Sequence, residues 1–104
     1  MEIIETAIFT KQVQKILTDE EYRDLQNILV CNPEVGDLIQ DTGGLRKVRV
    51  ASGGKGKRSG SRAIYYWISE DLKILMLMIY TKAKQEDLTT DQRKKLRLIL
   101  ELED

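Results

Sequence analysis

Apolar residues recur along the chain in more than one rhythm. Glu2 to Phe9 alternates weakly through Ile3, Ile4, Ile8 and Phe9, which predicts a strand. Thr10 is placed to cap a short helix carrying Val13, Ile16 and Leu17. Thr18-Asp19-Glu20-Glu21 has the form of a capping box, with Leu17 and Tyr22 at the staple positions. Tyr22, Leu25, Ile28 and Leu29 then follow at helical spacing. That helix should stop near Cys31-Asn32, because Pro33 disfavours helical geometry in the residue before it. Gly36 to Gln40 reads as a short strand or a turn. Leu45 to Val50 sets Val48 and Val50 on one face and Lys47 and Arg49 on the other, a half-buried strand with a basic outer face. Arg62 to Ser69 and Lys73 to Tyr80 are nearly continuous apolar runs, as expected of central strands covered on both faces. Glu70-Asp71-Leu72 is short enough to join them as a hairpin, and Met76 and Met78 belong to the core. Thr89 and Gln92 form a second capping box before a last helix with Leu96, Ile99 and Leu100 as its stripe. Arg93, Lys94, Lys95 and Arg97 fall around that helix's solvated side. The order predicts an α+β fold: a small, mostly antiparallel sheet, two N-terminal helices and a C-terminal helix, the helices packed on one face.

At 104 residues, 41% of them hydrophobic, the chain is expected to form a single domain spanning 1–104 with one modest core. No apolar run approaches the roughly 20 residues of a membrane helix. Met-Glu-Ile-Ile-Glu lacks the basic start of a signal peptide. The lone Cys31 cannot form an internal disulfide, fits a reducing compartment and reads as a buried filler. A cytoplasmic location is expected.

Charge changes the picture more. The formal net charge is +0, yet residues 1–41 carry −6, residues 42–69 carry +7 and residues 70–104 carry −1. All seven bases of the middle segment lie in Thr42 to Tyr66, a stretch with no acid and with six of the seven glycines. Such a local patch can steer a phosphate chain despite a neutral total, whereas a neutral total argues against coating naked nucleic acid on charge alone. A Gly/Lys loop reads equally as a solvated turn, and Arg46, Lys47 and Arg49 as the wet face of an edge strand. Arg62 differs, because it opens an otherwise apolar strand.

The candidate chemistry is narrow. The chain has no His and one Cys, so the commonest general base and a His/Cys zinc cluster are both missing. G-G-K-G-K-R-S lacks Walker spacing, and the carboxylates show no spacing suited to metal-assisted hydrolysis. Lys, Arg, Tyr and Ser remain. These suffice to cleave RNA, whose own 2′-hydroxyl is the nucleophile. The protein then orients the attack and neutralises charge on the phosphorane. Arginine's planar fork suits phosphate oxygens, and a lysine among other cations can have a lowered pKa and exchange protons.

The segment L-I-Q-D-T-G-G-L-R-K-V-R-V-A-S-G-G-K-G-K-R-S-G-S-R-A-I-Y-Y-W resembles the RelE/HigB branch of the RelE/ParE toxin superfamily, and HigB-type toxins above all. The likeness extends to D-E-E-Y-R, N-P-E-V-G-D, the I-Y-x-K strand end and the D-L-x-x-x-Q-R-K start of the last helix. It implies a RelE-like fold and the toxin of a type II toxin–antitoxin pair. Such a toxin cuts mRNA in the ribosomal A site through the 2′-hydroxyl, with no metal and no cofactor. It implies a partner antitoxin from the adjacent gene, of helix-turn-helix type, through which alone operator DNA is met. Carried over by motif, Lys47 and Arg49 match two basic residues on a strand. Arg62 matches the arginine that opens the next strand and contacts phosphate, and Lys82 and Lys84 fall near basic positions after the last strand. These five are the expected catalytic set. Arg46, Lys55, Lys57, Arg58 and Tyr80 are expected to bind RNA. One departure stands out: K-A-K-Q-E-D-L-T-T holds no Tyr where RelE-type enzymes often keep one, and the nearest is Tyr80, so the base is unassigned. The alternatives are a ParE-like gyrase poison of the same fold and a non-catalytic nucleic-acid-binding module.

Overall fold

The computed structural model describes residues 1–51, 60–85 and 87–103. The elements in order are β1 (Glu2–Glu5), α1 (Ala7–Ile16), α2 (Asp19–Cys31), β2 (Asp37–Leu38), β3 (Leu45–Val50), β4 (Ser61–Ile68), β5 (Lys73–Thr81) and α3 (Thr90–Glu103). They form an α+β fold around a five-stranded sheet of order β1-β5-β4-β3-β2. Every neighbouring pair is antiparallel except β1 and β5. The two apolar runs are indeed the inner strands β4 and β5. β3 lies one place in from the edge, which is the two-residue β2.

Both capping boxes form. Thr18 Oγ1 accepts the Glu21 amide at 3.1 Å, and Glu21 Oε1 accepts the Thr18 amide at 2.8 Å. Thr89 and Gln92 repeat the exchange at 3.1 and 3.0 Å at the start of α3. α2 ends at Cys31, one residue before Asn32-Pro33.

The expected strand to Phe9 does not run that far. β1 stops at Glu5, and Thr6 rather than Thr10 caps α1, its Oγ1 accepting the Phe9 amide at 3.0 Å. Ile8 and Phe9 therefore take helical spacing with Val13, and Phe9 is fully buried. The Thr10 hydroxyl instead donates to Glu5 Oε1 at 2.7 Å and to the Thr6 carbonyl at 3.1 Å. Cys31 is exposed rather than a buried filler.

The helices do not share one face. Phe9 and Val13 of α1 and Leu25 and Leu29 of α2 pack with Val48, Val50, Ala63, Tyr65, Ile74, Met76 and Ile79. Leu96 and Leu100 of α3 pack with Leu45, Ile64, Leu75, Leu77, Met78 and Tyr80 from the other side. Two unbroken apolar strands need cover on both faces, and a single layer of helices cannot give it.

Strand alternation alone would not place those β5 residues together. Ile64 pairs with Met78 and Tyr65 with Met76, which leaves Leu77 without a partner across β4. This bulge resets the alternation, so Leu75 and Leu77 before it share a face with Met78 and Tyr80 after it. The Leu77 carbonyl accepts the Thr6 hydroxyl at 2.9 Å.

The approach to β3 turns on glycine. Gly44 has φ 118°, in the region that favours a residue without Cβ, and a Cβ there would stand 3.0 Å from the Tyr66 ring. Thr42, fully buried, donates to the Ile39 carbonyl at 2.6 Å and accepts the Leu45 amide at 3.2 Å.

Candidate functional site

The register across β3, β4 and β5 brings the predicted cations together. Arg49 stands opposite Arg62, and Arg62 stands opposite Tyr80. Lys47 lies two residues from Arg49 on the same side of β3, opposite Ile64. Lys47, Arg49, Arg62 and Tyr80 thus form a patch on the α3 side of the sheet, beyond the core of Leu45, Ile64 and Met78. Rigid inner strands fix the backbone beneath each side chain. Arg49 is exposed and Arg62 half-buried, its Nη1 donating to the Ser61 carbonyl at 3.3 Å. Among the described residues neither arginine has an ion-pair partner.

Tyr80 is a core side chain, 4% exposed, and its hydroxyl has no hydrogen-bond partner among the described residues. Burial raises the pKa of its phenol, the Asp87 carboxylate raises it further, and Arg62 and Arg93 pull it partly back. A phenol so placed stays protonated at physiological pH. It can donate a hydrogen bond but is a poor general base.

Two residues the sequence did not mark complete the patch. Asp87 lies between β5 and α3, and its Oδ1 is 3.5 Å from Lys47 Nζ while its Oδ2 is 3.5 Å from Arg93 Nη2. The Leu88 amide donates to the same carboxylate at 2.8 Å. Partial burial opposes the charge of Asp87, but the Leu88 amide, Lys47 and Arg93 outweigh it and hold the carboxyl below its ordinary value. Arg93, expected on a solvated face, is half-buried, with a buried Nε that finds no partner among the described residues. The helical stripe of α3 was legible, but its orientation over the sheet turns Arg93 inward while Lys94 and Lys95 stay exposed.

The other predicted residues are scattered. Arg46 lies on the opposite side of β3 from Lys47. Its Nη1 donates to the Gly36 carbonyl at 2.7 Å and to the Glu34 carbonyl at 3.1 Å, and Nη2 is 3.6 Å from the Glu34 carboxylate. It holds the chain before β2 and does not join the patch. Lys82 is exposed just past β5, its amide donating to the Gly60 carbonyl at 3.2 Å beside the start of β4. Lys84 lines a groove with Gln12, Lys15 and Ile16 of α1, which Tyr80 and Gln85 also border. Lys55, Lys57 and Arg58 lie outside the described residues. No helix among the described residues is long and apolar enough to cross a membrane.

No protein-family model matches the chain. Solved structures do resemble it. A free-state, double Arg-to-Ala mutant of the E. coli toxin RelE aligns at TM-score 0.63 and 16% identity over 89% of this chain and 93% of that one. The isolated E. coli RelE toxin aligns at 0.59 and 14% identity, over 93% and 96%. The intact E. coli RelBE toxin–antitoxin complex aligns at 0.57 and 16% identity, over 74% and 90%. At these identities the likeness establishes a shared fold.

Proposed function

We propose that this RelE-fold chain is the toxin of a toxin–antitoxin pair and acts as a ribosome-dependent mRNA endonuclease of the HigB type. The observation that carries the reading is the single register line Arg49–Arg62–Tyr80 with Lys47 beside it. Cations set opposite one another repel, so the cluster is best satisfied by a phosphate among them. The likeness to RelE and to the RelBE complex supports both the activity and an antitoxin partner.

In this mechanism the mRNA 2′-hydroxyl attacks the adjacent phosphorus. The O2′–P bond forms, the P–O5′ bond breaks, and the products are a 2′,3′-cyclic phosphate and a 5′-hydroxyl. Arg62 and Arg49 receive the charge gathering on the non-bridging oxygens, a task suited to a rigid guanidinium. Lys47 adds a third charge, and the neutral Tyr80 ring packs beneath the patch with its hydroxyl buried. The chain has no His to hold a metal, and the 2′-hydroxyl makes a metal-bound nucleophile unnecessary. The antitoxin, from the adjacent gene and of helix-turn-helix type, would cover this cationic surface.

Primer extension on cellular mRNAs after brief induction, with chemistry of the cleaved ends, tests the reading. Cuts within translated codons ending in a cyclic or 3′-phosphate are expected. Ends bearing a 3′-hydroxyl would sink the mechanism. DNA damage without mRNA cuts would point to a gyrase poison of this fold.

A further inference from the structure

Among the described residues the patch contains one carboxylate, Asp87, and it is not on the sheet. Asp87 reaches from the segment before α3 to Lys47 on β3, while Arg93 from the first turns of α3 holds its other oxygen. Three further bonds fix that segment. The Leu88 amide donates to Asp87 itself, Gln85 Nε2 donates to the Asp87 carbonyl at 2.9 Å, and Gln85 Nε2 also donates to Gln92 Oε1 at 3.0 Å. Gln92 is the residue that closes the capping box of α3. The carboxylate is therefore fastened at its amide neighbour, at its own backbone and at the helix start. A surface ion pair with two free side chains would contribute little. Here the acid is held by the fold and the lysine comes to it.

We propose that Asp87 is a positioning residue of the active site, setting the Lys47 ammonium beside Tyr80 and Arg62, with Arg93 as the residue that fixes Asp87. This inference rests on the RNA-cleavage reading above. A lysine has a flexible four-carbon stem, and unguided its ammonium would spread over many rotamers. A catalytic charge displaced by about 1 Å loses on the order of 10²-fold in rate. An acid near a bound phosphate also repels it. Asp87 should thus slow the binding of RNA slightly while speeding its cleavage, two effects of opposite sign that separate positioning from a purely structural role.

The test uses the full chain with programmed ribosomes. It compares wild type, Asp87→Asn, Arg93→Ala and Arg93→Lys, with Lys94→Ala as a control. Cleavage is measured at saturating protein, and affinity is measured on ribosomes carrying mRNA blocked by a 2′-deoxy sugar at the cut site. Asparagine keeps the shape and the acceptor for the Leu88 amide, and circular dichroism verifies folding. Asp87→Asn should cleave about 10–100-fold more slowly while binding blocked mRNA as tightly as wild type or tighter. Arg93→Ala should slow cleavage likewise but bind blocked mRNA more weakly, because it removes a cation, and Arg93→Lys should restore part of the rate. The double variant Asp87→Asn with Arg93→Ala should be no slower than Asp87→Asn alone, because the two act through one contact. Wild-type cleavage with an unimpaired Asp87→Asn overturns the positioning role and leaves the cleavage reading intact. In Asp87→Asn, rate and affinity falling together also overturn it. Absence of cleavage by the wild type overturns the functional reading and this inference with it.

Discussion

Replacing Arg62 with alanine separates the chemistry of the patch from its stability. Arg62 stands opposite Arg49 on one side and Tyr80 on the other. Directly opposed cross-strand residues have Cβ atoms roughly 5 Å apart, and like charges so placed destabilise by on the order of 0.2–1 kcal/mol. Alanine relieves that repulsion. It also gives up the 3.3 Å bond to the Ser61 carbonyl and the packing of the arginine stem, and a hydrogen bond of this kind is worth about 1 kcal/mol net. The opposing effects cancel to within about 1 kcal/mol, so the Tm should move by less than about 8 °C. The transition state is affected far more. Removing one preorganised charge donor costs on the order of 10²–10³ in rate. If the chain is the toxin proposed above, Arg62→Ala should therefore lose toxicity while staying folded and still binding the proposed antitoxin. The assay is growth arrest at matched protein levels, read with antitoxin co-purification and a thermal melt. Arrest as fast as wild type at equal expression refutes the placement of the site. Lost toxicity with a collapsed Tm would refute the claim that repulsion and packing balance.

Two further outcomes follow from geometry elsewhere. Gly36→Ala should destabilise the fold by about 1–3 kcal/mol in urea unfolding, because the new Cβ would lie 2.9 Å from the fully buried Tyr65 ring and 3.0 Å from the Lys47 carbonyl; a variant as stable as wild type contradicts that crowding. Asp87 has a folded-state pKa below its ordinary value, so its contribution is present above the unfolded value of about 3.9 and is lost as pH falls through the folded value. Melts of wild type and Asp87→Asn should differ near neutrality and converge as pH drops below about 4, and a gap that persists in acid would show that charge is not the source.

Local chemistry was readable from the sequence and distant chemistry was not. Thr18 with Glu21 and Thr89 with Gln92 act within one turn, so four residues of text suffice to place them. The basic face of β3 followed from strict alternation between Val48 and Arg49. By contrast, Ile3 to Phe9 is apolar enough to read as one strand, and only the docking of α1 on β5 makes Thr6 the cap. Asp87 and Arg93 are six residues apart and carry no motif. They join the site because α3 packs over the sheet face opposite α1 and α2, a choice the apolar stripes permit but do not dictate. The run K-I-L-M-L-M-I-Y is apolar at every step from Ile74, so it shows no change of alternation where the bulge falls.

That bulge makes β5 a strand read in two phases. Up to Leu77 one set of residues faces α3, and after it the complementary set does. Tyr80 owes its place to this shift of phase, not to its own chemistry, since in an unbroken strand its ring would point toward α1. The carbonyl of the supernumerary residue is claimed by Thr6, the same hydroxyl that starts α1. The timing of the last strand is thus keyed to the sixth residue of the chain. Loss of the Thr6 hydroxyl would free that carbonyl and loosen the bulge on which the phase of Tyr80 depends, without altering any side chain of the patch.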